Sequence, residues 1–336
     1  MIKRILYLAY YFKELDKSKL NKFLTFASNT TKKSKASIWL DMVRSSITYN
    51  ISLLEYFNFR FYEISEKEKL TYAGTGYMYE FQLKMNPKET RSVLEDKLTF
   101  LKEYGTFVKH SFASLNDLQK DKKTGDRMLS NTSGKIVLKD SRGQCGNGIE
   151  VRKSNELNAD TLVARLLETS NDFVEEFVVQ HSKLMELSPS GLNTIRIITQ
   201  INKKNEVDIL GCRLRITINS PIDNMAAGNI AAPIDEISGK VTGPGVYSDI
   251  TKKDEYFHPV TGIEIVGFEV PFWPETIKMI KQAALKNVSN KSIGWDIAIT
   301  NNGAELIEGN HDWCKLLWQL PVKKGLKPVL ESYLKA

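Results

Sequence analysis

Apolar side chains recur at helical spacing through the first third of the chain and shift to the two-residue period of strands further on. Ile5, Leu8, Ala9, Phe12 and Leu15 fall on one face of an opening helix. That face predicts a core-packing helix, with a peripheral amphipathic membrane anchor as the alternative. Helical periodicity returns at 19–27 and 37–54, so residues 1–90 are predicted to be a largely helical region. The aromatic run 53–63 matches neither period and predicts core. A short strand is expected at 106–109 and a polar loop at 120–125. From residue 135 β-branched runs alternate with glycine-bearing turns, predicting strands at 135–140, 173–180, 192–201, 207–218, 293–300 and 304–310 and helices at 159–169 and 274–287. The fold class is therefore α+β, without internal repeat or low-complexity tract.

A length of 336 residues fits two or three packed units, since domains usually hold ~100–200 residues. Regions 1–90, 91–190 and 191–336 are the expected division. Hydrophobic residues make up 42% and charged residues 26%, an ordinary soluble mixture, and no apolar run reaches the ~20 residues of a membrane span. Lys13, Glu14 and Asp16 interrupt the first apolar stretch and no small-residue cleavage site follows, which argues against a signal peptide. Three distant cysteines, Cys145, Cys212 and Cys314, cannot all pair, so reduced thiols and a cytoplasmic location are expected. Four scattered histidines and the lack of any Cys-x-x-Cys pair argue against a zinc site. Lysines and arginines run the length of the chain without forming a nucleic-acid recognition module, so no nucleic acid partner is expected. The net charge of +7 suits anionic small substrates such as nucleotides, or an anionic membrane face.

Three segments carry candidate chemistry. In 135–151 a strand delivers Lys139 to a loop containing Gly143, Gly146 and Gly148. Glycines bring backbone N–H groups close to phosphate oxygens and a lysine adds a point charge. The loop is neither a Walker A motif nor a dinucleotide fingerprint, and alone it is compatible with an unliganded hairpin. In 174–181 a strand carries Glu175 and Glu176 before apolar residues; its backbone could meet the edge of an adenine. In 294–312 alternation places Asp296, Ala298 and Thr300 on one strand face. Asn301-Asn302-Gly303 reads as a hairpin turn, and Glu308 and Asn310 share a face of the returning strand. Two carboxylates and an amide oxygen converging there are hard donors suited to Mg2+. Between these segments Arg196, Arg213 and Arg215 sit on strands as candidates for gripping phosphate or acyl phosphate, with Arg213 and Arg215 on one face.

The order of these elements resembles the ATP-grasp superfamily, whose members hold ATP between two α+β subdomains. Within it the Asn193-Thr-Ile-Arg196 run, the Ala227-Gly-Asn229 patch followed by Ile234-Asp235, and the Gly-Trp-Asp and Glu-Gly-Asn motifs are similar to the sugar-transfer-associated branch. The similarity spans about residues 50–318, the Asp96-Lys97 pair included. It implies that Lys139 and Lys97 hold the nucleotide phosphates with Gly146 and Gly148, that Glu175, Glu176 and Val178 form the adenine hinge, and that Asp296, Glu308 and Asn310 ligate Mg2+. Several ligases of the superfamily carry an arginine two residues before the metal-binding Asp, where this chain has Gly294. The resemblance therefore shifts the oxyanion role to Arg196 or Arg215. It implies ATP and Mg2+ as cofactors and an ADP-forming carboxylate–amine ligase that makes an amide through an acyl phosphate, on a glycan or small-molecule carboxylate with an amine acceptor. A phosphotransferase, with His181 or His311 to be examined, and a peptide ligase acting on small amino acids are the alternatives.

Overall fold

A computed structural model describes residues 2–143 and 148–334. The chain opens with helices α1 (Ile2–Lys13), α2 (Lys17–Thr31), α3 (Lys35–Tyr49) and α4 (Leu53–Asn58). Asp16 and Ser34 cap α2 and α3, their side chains accepting the N–H groups of Lys19 and Ser37. These helices close over a core that includes Phe23, Ile38, Met42, Tyr56 and Phe57, and the aromatic run supplies its centre as expected. The opening helix departs from its predicted face. Tyr11 is buried, with Tyr7, Leu8 and Leu15 packed beside it, while Ile5, Ala9 and Phe12 point outward. Tyrosines, which the spacing left out, provide the inward stripe, so α1 is apolar on both sides.

A small antiparallel sheet of β1 (Phe112–Ser114), β2 (Lys135–Lys139), β3 (Glu150–Lys153) and β4 (Phe173–Glu176) has the order β1-β4-β2-β3. A second antiparallel sheet, in the order β7-β6-β5-β8-β9, contains β5 (Ile195–Ile201), β6 (Val207–Ile216), β7 (Ile230–Ile234), β8 (Ser292–Thr300) and β9 (Gly303–Asn310). The helix Ala159–Thr169 lies where the spacing predicts it, capped by Asn158. Segment 106–109 is not a strand: its first two residues belong to a tight turn, Gly105–Phe107, and the chain beyond is irregular. Segment 120–125 is not a loop: Asp121 caps a helix, Lys122–Leu129. Gly125 belongs in that helix because a Cβ there would lie 2.8 Å from Cβ of Ala159 on the neighbouring helix. The strand expected over 173–180 ends at Glu176, and the chain rejoins a sheet only through a bridge between Gln180 and Thr300.

The two faces of the large sheet differ in chemistry. Ile195, Ile197, Trp295, Ile297, Ala304 and Leu306 enter one apolar core with the helix Trp273–Lys286. Arg196, Asp296 and Ala298 alternate onto the other face. Register decides what β9 adds. Ile297 faces Leu306, but Asp296 faces Glu308, so Ile307 is an extra residue, a β-bulge. Glu308 has the same parity as Leu306 and would otherwise enter the apolar core. The bulge turns it, with Asn310, onto the polar face that Glu305 already occupies.

Candidate active site

A row of cross-strand partners runs through Arg213, Arg196, Asp296 and Glu308. Arg196 grips Asp296 as a fork, Nε donating to Oδ1 and Nη2 to Oδ2, the latter at 2.9 Å. Arg215 donates to Asp296 Oδ2 at 2.8 Å and to Asp223 Oδ1 at 2.6 Å. Asp223 also accepts the N–H and hydroxyl of Thr194. Asn310 donates to Glu308 Oε1 at 3.2 Å. Three carboxylates and two guanidinium groups thus share one buried patch, leaving it one negative charge if all ionise. Burial would raise the Asp296 carboxyl, but the charges of Arg196 and then Arg215 hold it well below the usual range. Glu308 is pushed up, first by burial and then by Asp296 beside it. Two adjoining carboxylates, one resisting ionisation, form a hard-oxygen donor set that a divalent cation would relieve.

Arg213 stands in the row but turns away. Its Nε donates to the carbonyl of Trp318 at 3.1 Å and its Nη1 to that of Cys212 at 2.8 Å. Burial lowers its pKa to about 10. The structure therefore corrects its expected place beside Arg215.

A second polar cluster belongs to the small sheet. Lys139 and Glu175 share the face of that sheet turned away from its helices, and their side chains form an ion pair. His110 lies between Glu175, 3.6 Å away, and Glu305 of β9, 2.7 Å away. Glu305 also accepts the N–H groups of Lys109 and His110, each at 2.9 Å. Burial would lower the His110 pKa, but the two glutamates flanking the ring outweigh it and hold the imidazole up to about 9. Burial likewise opposes ionisation of Glu175, yet Lys139 and His110 draw it down to about 2. Glu305 pairs with Ala298, two positions along β8 from Asp296, about 7 Å at strand rise. The clusters are neighbours across the junction of the two sheets.

Lys97, the first residue of the helix Lys97–Glu103, donates its ammonium to the carbonyls of Asp140 and Gly143 at the start of the glycine loop. Gly148 has φ +75°, a left-handed conformation that favours glycine. Gly146 lies outside the described residues. Glu176 leaves β4 half-buried, and the backbone of Val178 makes no hydrogen bond among the described residues. Asp223, Thr194, His110 and Glu305 were not singled out by sequence reasoning; Thr194 lay unremarked inside the Asn193–Arg196 run. Among the described residues no group of three His, Cys, Asp or Glu side chains forms a metal cluster.

The model of the family described as sugar-transfer associated ATP-grasp matches residues 77–335. The chain belongs to that ATP-grasp family. No curated protein gives a significant match. Solved structures with a likeness to this ATP-grasp chain include the ATP-grasp ligase PsnB complexed with minimal precursor, at 12% identity and TM-score 0.43, covering 75% of this chain and 62% of that one. Biotin carboxylase from Campylobacter jejuni matches at 12% identity and TM-score 0.43, over 70% and 47% of the two chains. An ADP complex of N5-carboxyaminoimidazole ribonucleotide synthetase matches at 12% and 0.40, over 66% and 45%. The chain thus spans less than two thirds of the length of each.

This ATP-grasp chain also explains its glycine before the Gly-Trp-Asp aspartate. A Cβ on Gly294 would lie 2.5 Å from Cβ of Trp313 and 3.3 Å from Cδ of Arg196. The space beside position 294 is filled by Trp313 and by the arginine of the adjoining strand, so a guanidinium reaches Asp296 from β5 instead. Gly294→Ala is expected to lower stability by about 1–3 kcal/mol through overpacking and to displace Arg196. A thermal melt unchanged from wild type would contradict this packing.

Proposed function

We propose that the chain is an ADP-forming carboxylate–amine ligase that makes an amide through an acyl phosphate. The observation that carries the proposal is the polar face on which Asp296, Glu308 and Asn310 adjoin two arginines, next to the Lys139–Glu175 pair of the opposing sheet. Asp296, Glu308 and Asn310 would hold Mg2+, whose donor preference their oxygens fit. Bound there, the metal would offset negative charge on the triphosphate.

The chain's own groups supply the rest. Lys139 and Lys97 would hold phosphate oxygens, Lys139 exchanging Glu175 for the nucleotide, and Gly146 and Gly148 would admit the backbone to them. The N–H and C=O of Val178, which find no partner among the described residues and lie near Glu175 and Glu176, suit the polar edge of an adenine. A substrate carboxylate oxygen attacks the γ-phosphorus as its bond to the β-bridging oxygen breaks, releasing ADP. The amine then attacks the acyl carbon and phosphate leaves, the amine proton passing to phosphate or water. Arg196 and Arg215 would steady the charge that develops on these oxygens. Arg213, committed to Trp318, receives no part in this. The glycan or uronic-acid carboxylate rests on the family description. His181 and His311 are engaged by the N–H of Lys183 and by Glu95, which disfavours a phosphohistidine route.

Purified protein supplied with Mg-ATP, a panel of uronic acids and other carboxylates, and a panel of amines should release ADP only when both partners are present, with an amide product by mass spectrometry. A stable phosphoester formed without amine would replace ligation with phosphotransfer. Turnover confined to amino-acid carboxylates would remove the sugar substrate and leave a peptide ligase.

A further inference from the structure

The positive charge of the chain is not evenly placed. Residues 1–36 hold nine lysines and arginines against two acids, an excess of seven that equals the net charge of the whole chain; residues 37–336 hold 38 of each sign. This segment spans α1 and α2 and reaches the start of α3. It is also where apolar side chains face outward. Tyr7, Leu8 and Tyr11 of α1 pack against the helical core. On its other side Leu6 is 64% exposed, with Ile5, Tyr10 and Phe12 exposed beside it. Phe12 lies against Trp39 of α3, ring centroids 6.5 Å apart, and Leu40 next to that tryptophan is 64% exposed. Lys13 follows Phe12, and Lys35 stands one helical turn before Trp39, both exposed.

We infer that this face docks on an anionic lipid surface. Apolar and aromatic side chains set among lysines suit the boundary between headgroups and acyl chains, where rings and aliphatic groups enter and ammonium groups meet lipid phosphates. Lys3 and Lys22 are paired with Glu80 and Asp249, so Lys13 and Lys35 supply the positive charge beside the apolar face. Among the described residues no helix is long and apolar enough to cross a membrane, and α1, twelve residues long, reaches only about 18 Å, so it lies on the bilayer. The docking is independent of the reaction proposed above.

Flotation of the full chain with vesicles tests it. Binding is expected to vesicles of phosphatidylcholine mixed with phosphatidylglycerol and not to phosphatidylcholine alone, falling about tenfold or more as salt rises, because exposed charges are screened. Leu6→Glu with Phe12→Glu should abolish flotation while the melting temperature and ATP affinity stay at wild-type values. Lys13→Glu with Lys35→Glu tests the charges alone and should weaken flotation several-fold. Absence of flotation with the anionic vesicles would overturn the inference. So would equal binding to both vesicle types, or a concentration-dependent dimer in light scattering that Leu6→Glu/Phe12→Glu abolishes without altering flotation.

Discussion

Asp296→Asn and Glu308→Gln are expected to lose turnover together and to part in stability. Each removes a carboxylate from the proposed metal pair, worth several kcal/mol of transition-state charge stabilisation, or a fall in kcat of about 10²–10³-fold or more. Asp296 also neutralises two buried arginines. Its loss leaves charge uncompensated, a change that typically costs 3–5 kcal/mol, so Asp296→Asn should melt well below wild type. Glu308 is pushed toward its neutral form by burial and by Asp296, and an amide there removes a repulsion, so Glu308→Gln should be as stable as wild type or more so. Denaturant titrations beside ADP-release assays read both effects. Equal stabilities in the two variants would contradict the arrangement around Asp296, and full activity in both would end the metal assignment.

The second large effect concerns pH and His110. Its pKa is raised from 6.5 to about 9 in the folded protein, so its contribution is fully present below the unfolded value and is lost as pH rises through about 9. A shift of that size corresponds to on the order of 3 kcal/mol. His110→Gln should therefore be destabilised by roughly that amount at pH 6, with the gap to wild type closing by about pH 10. Glu175 works in the opposite sense: drawn down to about 2, it adds stability above its unfolded pKa that disappears as pH falls through the acid range. Both effects come from one ion-paired cluster and are not additive. Unfolding midpoints measured from pH 5 to 10 decide the matter; a gap that ignores pH would mean that His110 is neutral and merely packed.

What could be read along the chain was what depends on neighbours in sequence. The helix Ala159–Thr169 and the hairpin through Gly303 follow from periodicity and turn chemistry, and both stand where expected. The partners of the polar groups lie elsewhere in the chain. His110 meets Glu305 across 195 positions and Arg215 meets Asp296 across 81, separations that no local pattern encodes. Asp223 lies two positions after Pro221, in a loop with no periodicity to mark its face. Arg213 and Arg215 satisfy the same alternation, yet the carbonyl of Trp318 diverts one of them. The helix Lys122–Leu129 was obscured by Gly125, a residue that ordinarily weakens helices and here allows a close crossing. In α1 the error had another source: two apolar stripes wind round one helix, and only packing chooses which of them faces inward.

Ile307 carries a lesson about how such a hairpin acquires acids. Strict alternation would assign Leu306 and Glu308 to the same side, forcing a choice between oil and ion. One surplus residue resets the count midway, so Leu306 stays in the apolar core while Glu308 joins Glu305 on the ionic face. Chain length, and not composition, is then the variable that adds or withdraws a ligand, and losing one residue would do more damage there than exchanging several.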